Sequence, residues 1–335
     1  MLRFGACRRR PDCRNVADEE VPELGPVPTR IEITEETVRR LVAAQFPQWA
    51  DLPIHPLASQ GWDNQSFRLG TTRTARLPSA EPYALAVGKE RRWLPVLAPQ
   101  LPLAIPVPLA EGAPDRSYPF RWSVYRWLDG EPASRENITD LTEFAAALAD
   151  FLVALQRVDP TGGPAPGLHN WYRGGTLATY DGLARQALVT LENHCHTDLA
   201  REIWETALPS RWEGPPVWFH GDVARGNLLV NDGALSAVID FGTCGVGDPA
   251  CDLAIAWTLL TDESRRVFRD RLRPDDDAWD RGRGWALWKS LVTCAGELAE
   301  GGPDLAESMV VLEEIFEEYL TTRAEHDRRR PSARR

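Results

Sequence analysis

Asp222, Asn227 and Asp240 are the residues whose types and spacing could do chemistry together. Asp222 closes the run His220-Gly221-Asp222, Asn227 follows it by five residues, and Asp240 opens an Asp-Phe-Gly segment. Phosphoryl transfer needs a carboxylate that orients a hydroxyl and oxygen ligands that hold Mg²⁺ on a nucleotide, because the protein contributes mainly positioning and charge. The spacing therefore indicates a phosphoryl-transfer site.

Three short apolar runs, at 217–219, 228–230 and 235–239, flank these residues. An Asp-Gly pair separates the last two, and Asp-Gly between apolar runs predicts a β-hairpin. The polar residues would then lie at the ends of short strands and face one mouth. Any one of them alone is more often a turn or cap residue. The joint pattern favours the chemical site.

The loop His220-Gly221-Asp222-x-x-x-x-Asn227 differs from the protein-kinase sequence His-Arg-Asp-x-x-x-x-Asn by a glycine in place of the arginine. With this variant, residues 34–320 resemble the aminoglycoside phosphotransferase family. The resemblance implies Asp222 as catalytic base, Asn227 and Asp240 as Mg²⁺ ligands, and His220 as a brace of the loop. It also implies an α+β, two-lobe, protein-kinase-like fold with a small antiparallel β-rich N-terminal lobe and a larger, mainly helical C-terminal lobe.

A polar bend in the N-terminal lobe is the predicted phosphate-binding element. Residues 57–69 and 74–78 predict two antiparallel strands, with the bend in the first half. The resemblance places Ser59, Gly61 and Asn64 of this bend over the nucleotide phosphates, where backbone N–H groups can bind them. Taken alone, the segment is explained equally well by a plain hairpin.

Arg76 stands where kinases carry a lysine that contacts the α- and β-phosphates, and Glu90 on the following helix is its predicted partner. A guanidinium can bind phosphate bidentately, although it is bulkier and differently hydrated than an ammonium. The alternative is a surface charge on a strand. In the strand at 120–128, which is the hinge between lobes in the family, the resemblance implies main-chain contacts to adenine at Arg126 and Leu128.

Length and apolar content support two lobes. The chain has 335 residues, of which 43% are hydrophobic, enough for a substantial core. Asn137 is predicted to cap a helix that begins at Ile138, where helical spacing of apolar residues sets in. The predicted segments are a disordered or weakly docked extension at 1–30, a nucleotide-binding lobe at 31–128, a catalytic and substrate-binding lobe at 129–326, and a basic tail at 327–335.

A net charge of −11 argues against nucleic acid and anionic membranes as partners and favours a cationic small molecule. No apolar run reaches membrane-spanning length. The six cysteines form no CxxC pair, which favours reduced thiols in the cytoplasm over a zinc site. The predicted ligands are ATP or GTP, Mg²⁺ and a small-molecule hydroxyl acceptor, bound by a monomer or homodimer.

The identity of the acceptor depends on the acids and tryptophans after residue 250. Carboxylates beside Trp285 and Trp288 could bind a polycationic amino sugar through charge and cation–π contacts, whereas solvated helix faces explain most of the acids equally well. The acids concerned are Asp275, Asp276, Asp277, Glu297, Glu300, Asp304 and Glu307.

Three hypotheses follow. The first is a phosphotransferase for an aminoglycoside or similar antibiotic, which converging carboxylates would favour. The second is a metabolic kinase of the choline, homoserine or sugar type, and an aromatic cage would favour choline. The third is a non-catalytic, nucleotide-binding pseudokinase, which arginine at position 76 favours and the intact Asp222, Asn227 and Asp240 oppose.

Overall fold

The computed structural model describes residues 21–58, 60–302 and 305–329. The first part of the chain forms an antiparallel sheet with strand order β1-β2-β3-β5-β4, together with two helices. These elements are α1 (Glu35–Gln45), β1 (Ile54–Pro56), β2 (Asn64–Leu69), β3 (Arg73–Pro78), α2 (Glu81–Leu97), β4 (Pro108–Gly112) and β5 (Trp122–Arg126).

Strands β2 and β3 explain how this sheet directs its polar residues. They form the predicted hairpin, in which Ser66 pairs with Arg76. Alternate apolar residues, among them Ala75 and Leu77, are buried in a core shared with α1. Because successive side chains of a strand point to opposite faces, Arg76 lies on the face away from α1.

The remainder of the chain is mainly helical, with two small antiparallel sheets, β7-β10 and β6-β8-β9. Its elements are β6 (Glu131–Pro132), α3 (Leu141–Arg157), α4 (Asp181–Thr190), α5 (Thr197–Ala207), β7 (Val217–Phe219), β8 (Leu228–Asn231), β9 (Ala234–Val238), β10 (Gly245–Gly247), α6 (Ile255–Thr258), α7 (Asp262–Leu272), α8 (Asp276–Glu300) and α9 (Leu305–Arg329). The predicted hairpin after Asn227 is therefore present as β8 and β9.

Helix α3 begins later than the sequence predicts. Its cap is Asp140, whose carboxylate accepts hydrogen bonds from the backbone N–H groups of Thr142 and Glu143 at 2.8 and 3.0 Å. Asn137 instead accepts a hydrogen bond from the N–H of Ser134 at 2.9 Å and closes the preceding turn. Both residues are typical caps, so local sequence preference does not decide between them.

Only residues 21–30 of the predicted extension lie in the described part of the chain. They form neither helix nor strand. Leu24 nevertheless packs against the hydrophobic core of the helical part, and the Arg30 guanidinium lies 4.1 Å from the centre of the Trp62 ring. Helix α9 continues to Arg329, within the segment predicted as a basic tail. In the parts of the chain that the structure describes, no helix is both long and apolar enough to cross a membrane.

A buried ion pair joins the two longest helices. Arg283 of α8 donates from Nε to Glu318 Oε2 of α9 at 2.7 Å. The indole N–H groups of Trp257 and Trp279 also donate to this carboxylate, at 3.2 and 3.0 Å. Burial alone would raise the pKa of Glu318, but Arg283 and the two indoles outweigh it and lower the pKa to about 2.

We expect Glu318→Gln to lower the free energy of unfolding by about 3 kcal/mol at neutral pH, because it removes the buried counter-charge of the Arg283 guanidinium and leaves only the more exposed Asp280 as an ion-pair partner. Urea unfolding measures the change, and Glu317→Gln on an exposed site of α9 is the control. Because the pKa of Glu318 is lower in the folded protein than in the unfolded chain, its ionisation stabilises the fold at pH values above 4.5. This stabilisation is lost as the pH falls toward 2, the pKa of Glu318 in the folded protein. The difference in unfolding free energy between Glu318→Gln and Glu317→Gln should therefore become smaller as the pH falls from 4.5 toward 2. Equal stability of the two variants at neutral pH would contradict a stabilising role of the Arg283–Glu318 pair.

Candidate active site

The loop between β7 and β8 carries Asp222 and is held by its backbone. Asp252 accepts hydrogen bonds from the N–H groups of His220 and Gly221 at 2.8 and 2.7 Å. Gly221 has a φ of +89°, and a Cβ there would lie 2.6 Å from the carbonyl oxygen of Thr243. Glycine is therefore required at the position where protein kinases carry arginine.

His220 is buried beneath this loop. Its Nδ1 accepts a hydrogen bond from the backbone N–H of Asp222 at 3.2 Å, so its Nε2 carries the proton and donates to the carbonyl of Ile239 at 2.9 Å. The ring also packs edge-on against Phe241, with 4.6 Å between centroids. The imidazole thus connects the loop to the strand that leads to Asp240.

The side chain of Asp222 has two direct partners. Asn227 donates through its amide nitrogen to the backbone carbonyl and to Oδ2 of Asp222 at 2.9 and 3.0 Å. Lys289 of α8 donates to Oδ1 at 2.8 Å. Burial alone would raise the pKa of Asp222, but Lys289, assisted by Arg173, lowers it to about 2. Asp222 is consequently ionised at neutral pH and presents fixed acceptor oxygens.

Arg76 links the sheet to Asp240. Its Nη2 lies 2.7 Å from Asp240 Oδ1, whereas Nη1 lies 3.7 Å from Glu90 Oε1. Glu90 instead accepts a short hydrogen bond from the hydroxyl of Tyr125. The predicted Arg76–Glu90 contact is thus an ion pair without a hydrogen bond. With only 15% of its side chain exposed, Arg76 is not a strand surface charge.

Four of the other predicted nucleotide contacts lie in the described residues, in or next to strands β2 and β5. Gly61 is exposed in the segment before β2, and Asn64 opens β2 opposite Pro78. Ser59 lies outside the described residues. At the end of β5, the backbone N–H of Arg126 donates to the carbonyl of Val107 at 3.0 Å, and Leu128 lies two residues beyond. Their nucleotide contacts remain predictions.

Sequence reasoning missed Asp63, which lies in the polar bend between Gly61 and Asn64. Burial, followed by the nearby charges of Asp240 and Asp222, raises the pKa of Asp63 to about 7, against an opposing effect of Arg76. The charges of Asp240 and Asp222, which come from other segments of the chain, therefore act on the Asp63 carboxylate. Asp63 could have been identified from the sequence as an acidic residue within a bend that is predicted to bind phosphate.

It also missed two lysines. Lys89 of α2 is buried and donates to the carbonyls of Gly242 and Cys244 at 2.6 and 2.9 Å, which fixes the segment after Asp240. Burial lowers its pKa. Lys289, the second, is bound to Asp222. Lys89 and Lys289 are the only lysines among 38 basic residues, so their rarity was a readable signal.

Asn227 and Asp240 each have a side-chain oxygen atom that could bind Mg²⁺. Both hydrogen bonds of the Asn227 amide to Asp222 use the nitrogen, which leaves the amide oxygen for a cation, and Oδ2 of Asp240 is not the atom bound by Arg76. Among the residues placed by the structure, no three His, Cys, Asp or Glu side chains form a metal site of their own. Two protein oxygens completed by phosphates and water are typical of Mg²⁺-nucleotide sites, so the residues fit.

A cavity of about 300 Å³ opens beside Asp222. Trp285, Trp288 and Glu307 contribute to its wall, and Glu307 forms a close ion pair with Arg225. Asp275, Asp276, Asp277 and Glu297 are not among its lining residues, and Asp275 caps α8 by accepting from the N–H of Ala278 at 2.7 Å. The side chain of Glu300 lies outside the described part of the chain. Asp304 lies outside the described residues. Among the acids of this group whose side chains the structure describes, Glu307 alone reaches the cavity, so these acids do not converge as an amino-sugar site requires.

The chain matches the phosphotransferase enzyme family (APH) over residues 55–285 and belongs to that family. A GDP complex of a mutant aminoglycoside 2'-phosphotransferase-IIIa is 18% identical, with a TM-score of 0.67 over 86% of this chain and 99% of that chain. Macrolide 2'-phosphotransferase MphH from Brachybacterium faecium is 24% identical, with a TM-score of 0.54 over 83% and 98%.

A gentamicin complex of APH(2'')-IIa is 17% identical, with a TM-score of 0.54 over 85% of this chain and 96% of that chain. No curated protein sequence matches the chain. At these identities the similarity shows the fold alone. The predicted kinase-like, two-lobe α+β fold is confirmed.

We expect Asp252→Asn to reduce the free energy of unfolding by about 2 kcal/mol, because an amide cannot accept both backbone N–H groups with the strength of a carboxylate. Chemical denaturation measures the loss, and Asp270→Asn on the exposed face of α7 is the control. Stability equal to that of the control would show that Asp252 does not hold the loop.

Proposed function

We propose that the protein transfers the γ-phosphoryl group of ATP or GTP to a hydroxyl group of a small molecule. The observation that carries the proposal is the ionised Asp222 on a fixed loop, adjacent to Asn227 and open to a cavity of about 300 Å³. A cavity of this volume suits a small acceptor. Membership of the phosphotransferase family supports the reaction class.

In the proposed reaction, the acceptor hydroxyl donates a hydrogen bond to Asp222. The hydroxyl oxygen forms a bond to the γ-phosphorus while the bond from that phosphorus to the β,γ-bridging oxygen breaks, and the hydroxyl proton passes to Asp222. A carboxylate of low pKa is a weak base, which suits a loose transition state in which the proton is transferred late. Asp222 would thus act chiefly by orienting the acceptor.

The nucleotide phosphates require neutralisation by neighbouring cations. Asn227 and Asp240 would hold Mg²⁺, which would supply positive charge to the nucleotide phosphates. Arg76 would contact the α- and β-phosphates, and its ion pair with Asp240 keeps the guanidinium directed into the cleft. Glu90 and Lys89 would hold α2 and the segment after Asp240 in place.

Two acceptor classes remain within this proposal. Enzymes of similar fold are named for aminoglycosides and macrolides, which supports an antibiotic acceptor. Basic groups on the cavity wall, Arg173 and Lys289, specifically favour a metabolic alcohol over a polycation. Transfer from labelled ATP and GTP across aminoglycosides, macrolides and metabolic alcohols distinguishes the two.

We expect Asp222→Asn to lower kcat by at least about a hundredfold and to leave nucleotide affinity within about twofold, because the carboxylate acts on the acceptor. Steady-state transfer with the best acceptor of the panel measures kcat, and calorimetry with Mg·ADP measures affinity. Asp270→Asn is the control. Unchanged kcat would remove Asp222 from the mechanism, and Mg·ADP binding without transfer in the unmodified protein would favour the pseudokinase hypothesis.

We expect Asp240→Ala to weaken binding of Mg·ADP by at least about tenfold, because a metal-binding oxygen is lost. Its effect on ADP binding in the presence of EDTA should be much smaller. The exposed Asp277→Ala serves as the matched control. Equal weakening with and without Mg²⁺ would assign Asp240 a purely structural role through Arg76.

A further inference from the structure

We infer that the phosphoryl acceptor is an anionic alcohol, a small molecule that carries a carboxylate or phosphate group beside its hydroxyl, and that Arg173 and Lys289 recognise this group. The inference rests on the proposed phosphoryl transfer and names the chemical class of its acceptor. It departs from the cationic acceptor that the net charge of the whole chain favours.

The charges of the side chains that line the cavity beside Asp222 do not sum to zero. Five charged side chains line it: Arg173, Asp222, Arg225, Lys289 and Glu307. Lys289 is paired with Asp222, and Arg225 is paired with Glu307. Within the described ranges, no carboxylate lies within 4.0 Å of Arg173 as an ion-pair partner. The lining side chains therefore carry one positive charge in excess, since Asp63 and Asp240 are not among them. A negative group on the ligand would balance this charge.

Arg173 is held in a fixed orientation by aromatic residues. The centre of its guanidinium lies 4.6 Å from the Trp288 ring, 5.0 Å from Trp285 and 5.1 Å from Tyr180. Its Nη1 donates to the hydroxyl of Tyr180 at 2.6 Å. A guanidinium packed against rings keeps the remaining in-plane N–H donors, which match a carboxylate or phosphate bidentately.

The same packing argues against a quaternary ammonium acceptor. Trp285 and Trp288 are aromatic residues of the cavity wall, and Arg173 already occupies a cation–π position on both rings. A second cation there would be repelled by the guanidinium and would have to displace it. The aromatic residues therefore position an arginine instead of forming an open cage.

Lys289 provides a second group for the anion. Its ammonium has three N–H donors, of which one binds Asp222 Oδ1 at 2.8 Å, and 46% of its side chain is exposed. An acceptor bound at Lys289 would have its hydroxyl close to Asp222. Arg173 also helps to lower the pKa of Asp222, so its charge acts at this end of the cavity.

The test uses four small alcohols that differ mainly in charge: glycerate and glycerol phosphate as anions, glycerol as the neutral molecule and serinol as the cation. Ligand-observed NMR titration to millimolar concentrations, with the full chain saturated with Mg·ADP, measures each affinity. We expect both anions to bind at least about tenfold more tightly than glycerol and serinol. If only one anion binds, the headgroup is identified as a carboxylate or as a phosphate.

Arg173→Met should reduce the preference for anions by about tenfold and leave Mg·ADP affinity within about twofold. Lys289→Met removes the more exposed charge and should reduce the same preference even if Arg173→Met does not fold. Arg266→Met on the exposed face of α7 makes the same charge change away from the cavity. It should leave the preference unaltered.

Equal affinity for all four alcohols, tighter binding of serinol, or no binding of either anion while Mg·ADP still binds would overturn the inference and leave the proposed phosphoryl transfer intact. If Arg266→Met also loses the anion preference, the preference comes from the net charge of the protein and not from the cavity, and the inference is overturned. Failure to bind Mg·ADP would instead count against the proposed function. If Arg173→Met weakens Mg·ADP binding and leaves the anion preference intact, Arg173 acts on the nucleotide and the inference fails.

Discussion

Repulsion between carboxylates is the constraint on which this site depends. Asp63, Asp222 and Asp240 come from different segments, and burial, followed by the charges of Asp240 and Asp222, raises the pKa of Asp63 to about 7. Buried carboxylates of this kind are stable only if positively charged side chains from other segments offset their negative charge. Arg76 offsets Asp240 from the sheet, and Lys289 offsets Asp222 from a helix of the second part. The charges therefore tie the two parts of the molecule together at the cleft.

Backbone hydrogen bonds supply the precision that these ion pairs lack. Asp252 and His220 hold the loop of Asp222 through main-chain atoms, and Lys89 holds two carbonyls after Asp240. Groups held in this way do not have to reorganise when charge develops during a reaction. The functional side chains can consequently exchange ion-pair partners for ligands while the loops that carry them stay in place.

The parts of the site that follow from local sequence were predictable. The Asp-Gly turn predicts the hairpin of β8 and β9, and alternation along β3 directs Arg76 away from the apolar core. Contacts between distant segments were not: Arg76 meets Asp240 across 164 positions, and Lys289 meets Asp222 across 67. Helical periodicity shows which face of α8 is apolar but not which loop its lysine reaches. Closely competing local signals also fail, as at Asn137 and Asp140, which are both typical cap residues three positions apart.

The scarcity of lysine has a consequence for the chemistry of the whole surface. Lys89 is buried, whereas the side chain of Lys289 is 46% exposed. Apart from the α-amino group, the folded protein thus offers one accessible primary amine in the part that the structure describes, and it touches Asp222. Acylating reagents, reductive methylation and amine-directed crosslinkers, which decorate most proteins broadly, would converge here on the cleft. A fluorophore attached by such chemistry would report on the acceptor cavity without any engineered residue.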